Sequence, residues 1–272
     1  KGIGYVKENI QVNGLSGKDR FFEIMNVLKK HSILEGINPS KVRNICEDLG
    51  PTFIKVGQIL SNRPDMLPQE YIDELSKLRY DVKPMSYQEV LDILNEEYDK
   101  RLFQLFLSID RNPVGSASIA QVHKAVLKDG TDVVIKVQRR NIRERMITDI
   151  NLLRKALKML NIEKIFKNIV SFDDVLDELL STSLEEMNFI LEAKHVSEFY
   201  DANEEIEYIK APRVFKHLVT EKVLVLEYVS GFNIMQLDEL KNNGYDISEI
   251  GNRLADNFIY QALEVGFFHA DP

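Results

Sequence analysis

The sequence predicts an α+β fold in which a helical block is followed by a small antiparallel sheet and then by further helices. Two changes of period carry this reading. The first hundred residues place apolar side chains at helical spacing, and from about Leu102 the period becomes that of strands. Helical spacing then returns over Ile142–Leu160 and Phe172–Phe199. A chain of 272 residues can bury a substantial core. Its 44% hydrophobic and 29% charged residues are ordinary for a soluble protein. A net charge of −8 argues against a nucleic-acid footprint, which needs a concentrated basic surface.

Each element has its own signal. RFFEIMNVLKKHSIL puts Phe21, Phe22, Met25, Leu28 and the Ser32/Ile33 edge on one helical face, which is expected to be the buried one. Asn38-Pro39 supplies an N-cap and a first-turn proline for a helix over Ser40–Leu49, and Gly50-Pro51 opens the next. SNRPDMLP is a turn, Pro68 begins another helix, and Ser86 begins YQEVLDILNEEY. FLSIDRNPV, SIAQVHKAVL and TDVVIKVQ read as strands, with Lys128-Asp129-Gly130 as the hairpin turn. Phe172–Phe199 reads as one helix with a buried stripe of Leu176, Leu179, Leu180, Leu184, Met187, Ile190 and Leu191. VLVLEYVSG is a further strand, and Asp246 with Glu249 forms a capping box for a last helix through Val265. The single cysteine, Cys46, rules out an internal disulfide, suits a reducing cytoplasm and belongs in the core. No apolar run approaches the roughly 20 residues of a membrane span, so the chain is expected to be soluble, with peripheral membrane contact left open.

Four features carry chemistry. Lys136 sits among Val133, Val134, Ile135 and Val137, a setting that predicts a strand buried on both faces and an ammonium in need of an anion. A lone lysine at a strand end is most often solvated, so the partner matters. The helix Phe172–Phe199 offers Glu178, Glu185, Glu186 and Glu192, of which Glu192 has apolar neighbours and Ala193 for close packing. Upstream, Gly115, Ala117, Ala120 and Val122 occupy the positions of a G-x-G-x-x-G-x-V phosphate loop. Alanine there disfavours positive φ by roughly 1 kcal/mol per residue, which predicts a stiff loop. Taken alone, GSASIA also fits an ordinary turn of small residues. The chain closes on GFFHADP, whose histidine and aspartate sit where a kinase catalytic loop begins, with Asp271 nearest the transferred phosphoryl group.

Together these features resemble the UbiB family of atypical kinase-like proteins, also called the ADCK type, along nearly the whole chain. The most specific match is FIKVGQILSNRPDMLPQEYIDELSKL, with the K-x-G-Q signature at Lys55, Gly57 and Gln58; PVGSASIAQVH, VVIK and GFFHADP follow in order. The resemblance implies a protein-kinase-like fold in three parts. Residues 1–101 would be a helical extension, residues 102–229 a small-sheet N-lobe with inserted helices, and residues 230–272 the start of a truncated C-lobe. It also implies that Lys136 and Glu192 hold ATP phosphates and that Asp271 is the catalytic base or water positioner. The nucleotide would be contacted by Val114, Gly115, Ser116, Ala117, Ser118, Ile119, Ala120 and Val122, with Glu227 and Val229 from VLVLEYVSG. Lys55, Gly57, Gln58, Glu186 and Asn188 would form a regulatory lid in which Lys55 meets Glu186. On one helix, six positions at about 100° each turn it by about 240°, so Glu186 and Glu192 face different partners.

Three departures stand out. Asn188 replaces an aspartate of the family's E-x-D motif, Gly115 and Ser116 replace two alanines, and the sequence stops at Pro272, ahead of the family's Mg²⁺ ligands. The chain is therefore expected to be part of a longer protein and weak or inactive by itself. The implied function is an ATP- and Mg²⁺-dependent kinase or ATPase supporting isoprenoid quinone biosynthesis of the ubiquinone type. Nucleotide, a lipid and quinone-biosynthesis enzymes are the expected partners, at the cytoplasmic face of a membrane. The alternative is a non-catalytic pseudokinase that binds nucleotide, lipid or an enzyme partner. A conventional protein kinase fits less well, because of the Lys55–Gln58 segment.

Overall fold

A computed structural model describes residues 17–78, 84–159 and 172–268. Helix α1 (Gly17–Lys30) is followed by α2 (Pro39–Leu49), α3 (Pro51–Ser61), α4 (Gln69–Leu75), α5 (Tyr87–Glu97) and a single turn, α6 (Leu102–Leu105). The caps are those the residues announce. The Asn38 side chain accepts from the Lys41 N–H at 2.9 Å, and the Ser86 hydroxyl accepts from the Glu89 N–H at 3.2 Å. Gly50, at φ 90°, ends α2 by donating to the Cys46 carbonyl at 3.0 Å and turns the chain into Pro51. Strands β1 (Phe106–Ile109), β2 (Gly115–Ser116), β3 (Ala120–Leu127) and β4 (Asp132–Gln138) come next. After them run α7 (Ile142–Met159), α8 (Phe172–Glu186), α9 (Phe189–Asn203), β5 (Val223–Glu227), α10 (Leu237–Asn242) and α11 (Ile247–Tyr260).

The chain divides into two compact units. Of the described residues, the first holds those up to Ile93 together with Pro113–Gln121 and Gln138–Met187. Its helices close over Ile45, Cys46, Leu49, Phe53, Ile54, Leu75 and Leu78, with Ile24, Val27 and Leu28 of α1 packed against them. The buried face of α1 is thus the expected one only in part: Leu28 and, beyond the helix, Ile33 pack on the core, but Phe21, Phe22 and Met25 are exposed, while Arg20 is buried. The reason is electrostatic. Asp149 of α7 is fully buried, and Arg20 meets it with two hydrogen bonds, at 2.6 and 2.9 Å, and donates a third to the Leu49 carbonyl at 2.7 Å. A buried carboxylate demands this partner, and meeting it turns α1.

The second unit takes Leu94–Asn112, Val122–Val137 and the described residues from Asn188 onward. It is built on the sheet, in the order β1-β3-β4-β5, while β2 pairs with the start of β3. β1 runs antiparallel to β3 and β5 antiparallel to β4, with Lys136 opposite Leu224. Gly130, at φ 88°, makes the predicted turn between β3 and β4. The buried Tyr98 donates its hydroxyl to the Leu218 carbonyl at 2.7 Å. At α11, Asp246 accepts from the Ser248 and Glu249 amides, but Glu249 pairs with Arg253, so the capping box is filled from one side.

One expected helix is two. The segment Phe172–Phe199 breaks after Glu186, and Asn188 caps a new helix by accepting from the Leu191 N–H at 3.1 Å. The predicted stripe holds for Leu176, Leu179 and Met187, but past the break Phe189 and Ala193 are buried and Ile190 is exposed. Short polar side chains such as asparagine stop helices by offering a cap, and here that local bond prevails over the apolar period.

Replacing Arg20 with alanine leaves the Asp149 side chain buried without its partner. Equilibrium urea denaturation should show a loss of about 3–5 kcal/mol.

Candidate functional site

Each unit contains one of the two lysine–glutamate pairs that the family resemblance implies. In the second unit, Lys136 of β4 donates to both carboxylate oxygens of Glu192, each at 2.7 Å. Glu192 lies in the first turn of α9, where the helix dipole favours negative charge. Beneath them the fully buried Phe189 sets its ring centroid 4.9 Å from the Lys136 ammonium. The strand is not buried on both faces, as expected from its apolar neighbours. Val133, Ile135 and Val137 are fully buried, while Val134 and Lys136 are only partly so. Strand alternation explains this, since successive side chains point to opposite faces. The Lys136 and Glu192 side chains keep 30% and 31% of their exposure, so the charged pair is reachable from solvent.

Val122 shares this partly exposed character on β3. At the end of β5, the Glu227 carboxylate is engaged elsewhere: it pairs with Lys210 at 3.1 Å and accepts from the Arg213 N–H at 3.2 Å. Those bonds, Lys210 first, hold its pKa below the usual carboxylate value. The Tyr228 N–H donates to the Asp132 carbonyl at 3.2 Å, and the Lys124 ammonium lies 3.7 Å from the Tyr228 ring centroid. Val229 is exposed.

In the first unit, Lys55 of α3 donates to Glu186 at the end of α8, at 2.5 Å. The neighbouring motif residues each have a visible physical task. Gln58 donates to the Leu78 carbonyl at 3.2 Å. Gly57 leaves no room for a side chain: a Cβ there would overlap Leu78 and lie 3.3 Å from Leu75 and 3.5 Å from the Cys46 sulfur. Burial in this contact pushes the Cys46 thiol up to about 12. In the turn that follows, Arg63 and Asp65 form a two-pronged pair at 2.9 and 2.7 Å.

The loop from Val114 to Ala120 contains β2. Val114 and Gly115 are exposed, and Ser118, Ile119 and Ala120 are buried. None of its residues has positive φ, Gly115 included, so the alanines carry no conformational penalty. Asn188, expected as part of the lid, is the α9 cap, a task an aspartate would perform as well. Asp271 lies outside the described residues.

Several positions escaped the residue reading. Phe189 lies outside the stripe that the helical period predicts, which takes Ile190 and Leu191 instead. Gln121 is fully buried and accepts from the Met85 N–H at 2.7 Å. His123 is fully buried too, with Nδ1 2.7 Å from the Asp110 carbonyl, and burial lowers its pKa so that it stays neutral. The signal for both was available: a glutamine and a histidine alternate in phase with Ala125 and Leu127, the inward positions of β3. Gln138 donates to the Met187 carbonyl at 2.7 Å, at the break after α8.

A lysine on a small antiparallel sheet, held by a glutamate from a helix packed in the same unit, defines a kinase-like protein. Residues 77–272 match the family model described as the ABC1 atypical kinase-like domain. The chain belongs to that family. It is 41% identical over 235 residues to an uncharacterized protein in the hydrogenase 1 5' region of Clostridium pasteurianum, covering 86% of this chain and 44% of that one. It is 36% identical to the chloroplastic protein Activity of bc1 complex kinase 8 of Arabidopsis thaliana, over 82% of this chain and 30% of that one. It is 33% identical to the probable protein kinase UbiB of Cellvibrio japonicus, over 85% of this chain and 42% of that one. The chain thus spans less than half the length of these relatives. Among the described residues no helix is long and apolar enough to cross a membrane.

Two substitutions separate packing from capping. Gly57→Ala should overpack the α3–α4 contact and cost about 1–3 kcal/mol in urea denaturation. Asn188→Ala should cost about 1 kcal/mol, whereas Asn188→Asp should stay within a few tenths of the parent.

Proposed function

We propose that this chain carries the nucleotide-holding part of an ATP-dependent atypical kinase or ATPase. The observation that carries the reading is the Lys136–Glu192 pair, a lysine gripped by both carboxylate oxygens yet open to solvent. A solvent-open ammonium held at a fixed point is suited to the α- and β-phosphates, and the glutamate spares it the search among rotamers. Val122 and Val134, both partly exposed, offer apolar surface to a flat base. The donor set thus fits a nucleoside polyphosphate. It does not extend to the metal: among the described residues no cluster of three or more His, Cys, Asp or Glu could hold a metal ion.

In this proposal Lys136 binds phosphate, Glu192 orients Lys136, and Asp271 positions the acceptor hydroxyl or water. The Lys55–Glu186 and Gln58–Leu78 bonds would belong to the lid that the family resemblance implies. The role of the whole protein would be support of isoprenoid quinone biosynthesis, on the strength of the motif resemblance and of the relative named UbiB.

Lys136→Ala should weaken binding of MgATP at least about tenfold, the worth of one charge-assisted bond, in isothermal titration. It should change stability by no more than about 1 kcal/mol, because the pair is partly solvated. Equal affinity in parent and variant would refute the assignment. Phosphate release by the full-length protein, abolished by Asp271→Asn, marks an enzyme. Binding without release marks a nucleotide-binding module.

A further inference from the structure

The second unit carries a groove that none of the roles described so far uses. It has a volume of about 440 Å³ and runs between α9 and the helical turn Lys216–Leu218 that leads into β5. Its α9 wall is one helical face, since Ile190, Ala193, Lys194, Ser197, Glu198 and Asp201 recur at helical spacing. Lys216 and Val219 form the other wall. Ile190, Ala193 and Val219 make its apolar part. Of the polar groups, some are already engaged: the Ser197 hydroxyl donates to the Ala193 carbonyl at 2.8 Å, and Lys194 pairs with Glu198 at 3.5 Å. Asp201 and Lys216 are left over. Both are exposed, and among the described residues neither side chain has an ion-pair partner. An apolar floor edged by one free anion and one free cation complements a small molecule with an apolar body and one charge of each sign. The volume suits such a ligand, since small-molecule sites run from about 300 to 1,000 Å³.

The place of the groove gives its occupant leverage. Glu192 stands two residues beyond Ile190, about 200° round the helix, so the groove and the Lys136–Glu192 pair lie on opposite sides of α9. The other wall is tied to the sheet. The Tyr98 hydroxyl donates to the Leu218 carbonyl at 2.7 Å, and the Thr220 N–H donates at 2.9 Å to the carbonyl of Val223, which stands opposite Val137 of β4. A ligand that bridges the walls therefore touches both the helix that holds Glu192 and the segment fixed to the strands that hold Lys136. We infer that the groove is a regulatory site for an amino-acid-like small molecule. Its apolar body sits on Ile190, Ala193 and Val219, its anion meets Lys216 and its cation meets Asp201. By shifting α9 it changes how Glu192 holds Lys136, and so the affinity for phosphate. The regulatory half rests on the nucleotide reading above; the binding of the ligand does not.

Disulfide capture tests both halves. Ser197→Cys places a thiol in the groove, and the parent chain is the control, because its Cys46 thiol is buried and pushed up to about 12. Four probes are used, each capped on the ring with a disulfide: phenylalanine, phenylpropionate, phenethylamine and ethylbenzene. At a fixed reductant concentration the phenylalanine probe should be captured about threefold more than either singly charged probe, the worth of one partly exposed ion pair. Adding Lys216→Glu should reverse the order in favour of phenethylamine. Equal capture of all four probes, or of none, overturns the site. Val219→Cys, on the opposite wall, must give the same order, and it carries the test if Ser197→Cys does not fold. Isothermal titration with MgATP then compares the phenylalanine-captured chain with the uncaptured one. A change of about fivefold or more in affinity is expected, and equal affinity overturns the regulatory half. A parent that binds no MgATP refutes the nucleotide reading and the regulation with it, while capture still decides the site.

Discussion

The hydrogen bond from the Leu191 N–H to the Asn188 side chain fixes where α9 begins, and much of the second unit follows from that point. A helix started there buries Phe189 under the Lys136 ammonium, puts Glu192 in its first turn and brings Ala193 into the packed interior. Had the helix run on unbroken from Phe172, the angle of each of these side chains would be inherited from α8. The cap resets it. Asparagine at this position is thus not a weakened version of an acidic motif residue. It performs the capping that an aspartate would, with no net charge beside Glu186 and Glu192.

The first unit shows how a short motif can combine charge and volume. Lys55 reaches Glu186, while Gly57, two residues on, lets α3 settle against Leu75 and Leu78. The charge and the missing side chain thus serve two separate contacts of one helix. A similar economy governs α1. Its two adjacent phenylalanines would make the better apolar face, but the uncompensated cost of a buried Asp149 carboxylate exceeds what two exposed rings forfeit. Arg20 is therefore drawn inward, and the rings remain at the surface.

This contrast marks the limit of what the residues alone could convey. Caps at Asn38, Ser86 and Asp246 were legible because each is a local bond, made within three residues. The α+β order and the hairpin at Gly130 were legible for a related reason, since period restricts the choices to a few; charge narrowed the partner of Lys136 to four glutamates, and the family resemblance singled out Glu192. The inward face of α1 was not, because it depends on an aspartate 129 positions away. Nor was the break at Asn188, where a local cap competes with an apolar stripe and periodicity cannot rank the two. The one-sided burial of β4 was hidden by composition, since valine at position 134 reads alike whether it faces the core or an open surface.

The small-residue loop is where the two kinds of information meet. Its lack of glycine suggested stiffness through φ, yet no residue in it adopts the backbone region that alanine disfavours. Alanine at 117 and 120 is therefore permissive in shape and economical in volume. The loop's carbonyls are bonded within the protein: Arg139, just after β4, donates its guanidinium to that of Ala117 and its backbone N–H to that of Ile119, and the Ala117 N–H donates to that of Ala120. A loop stiffened by hydrogen bonds differs in kind from one stiffened by sterics. Its bonds can be broken singly and can form again, and their strength depends on the charge of the donor. Small side chains then matter less for the freedom they allow than for the close approach they permit, since a bulkier loop would crowd the guanidinium that gives it form.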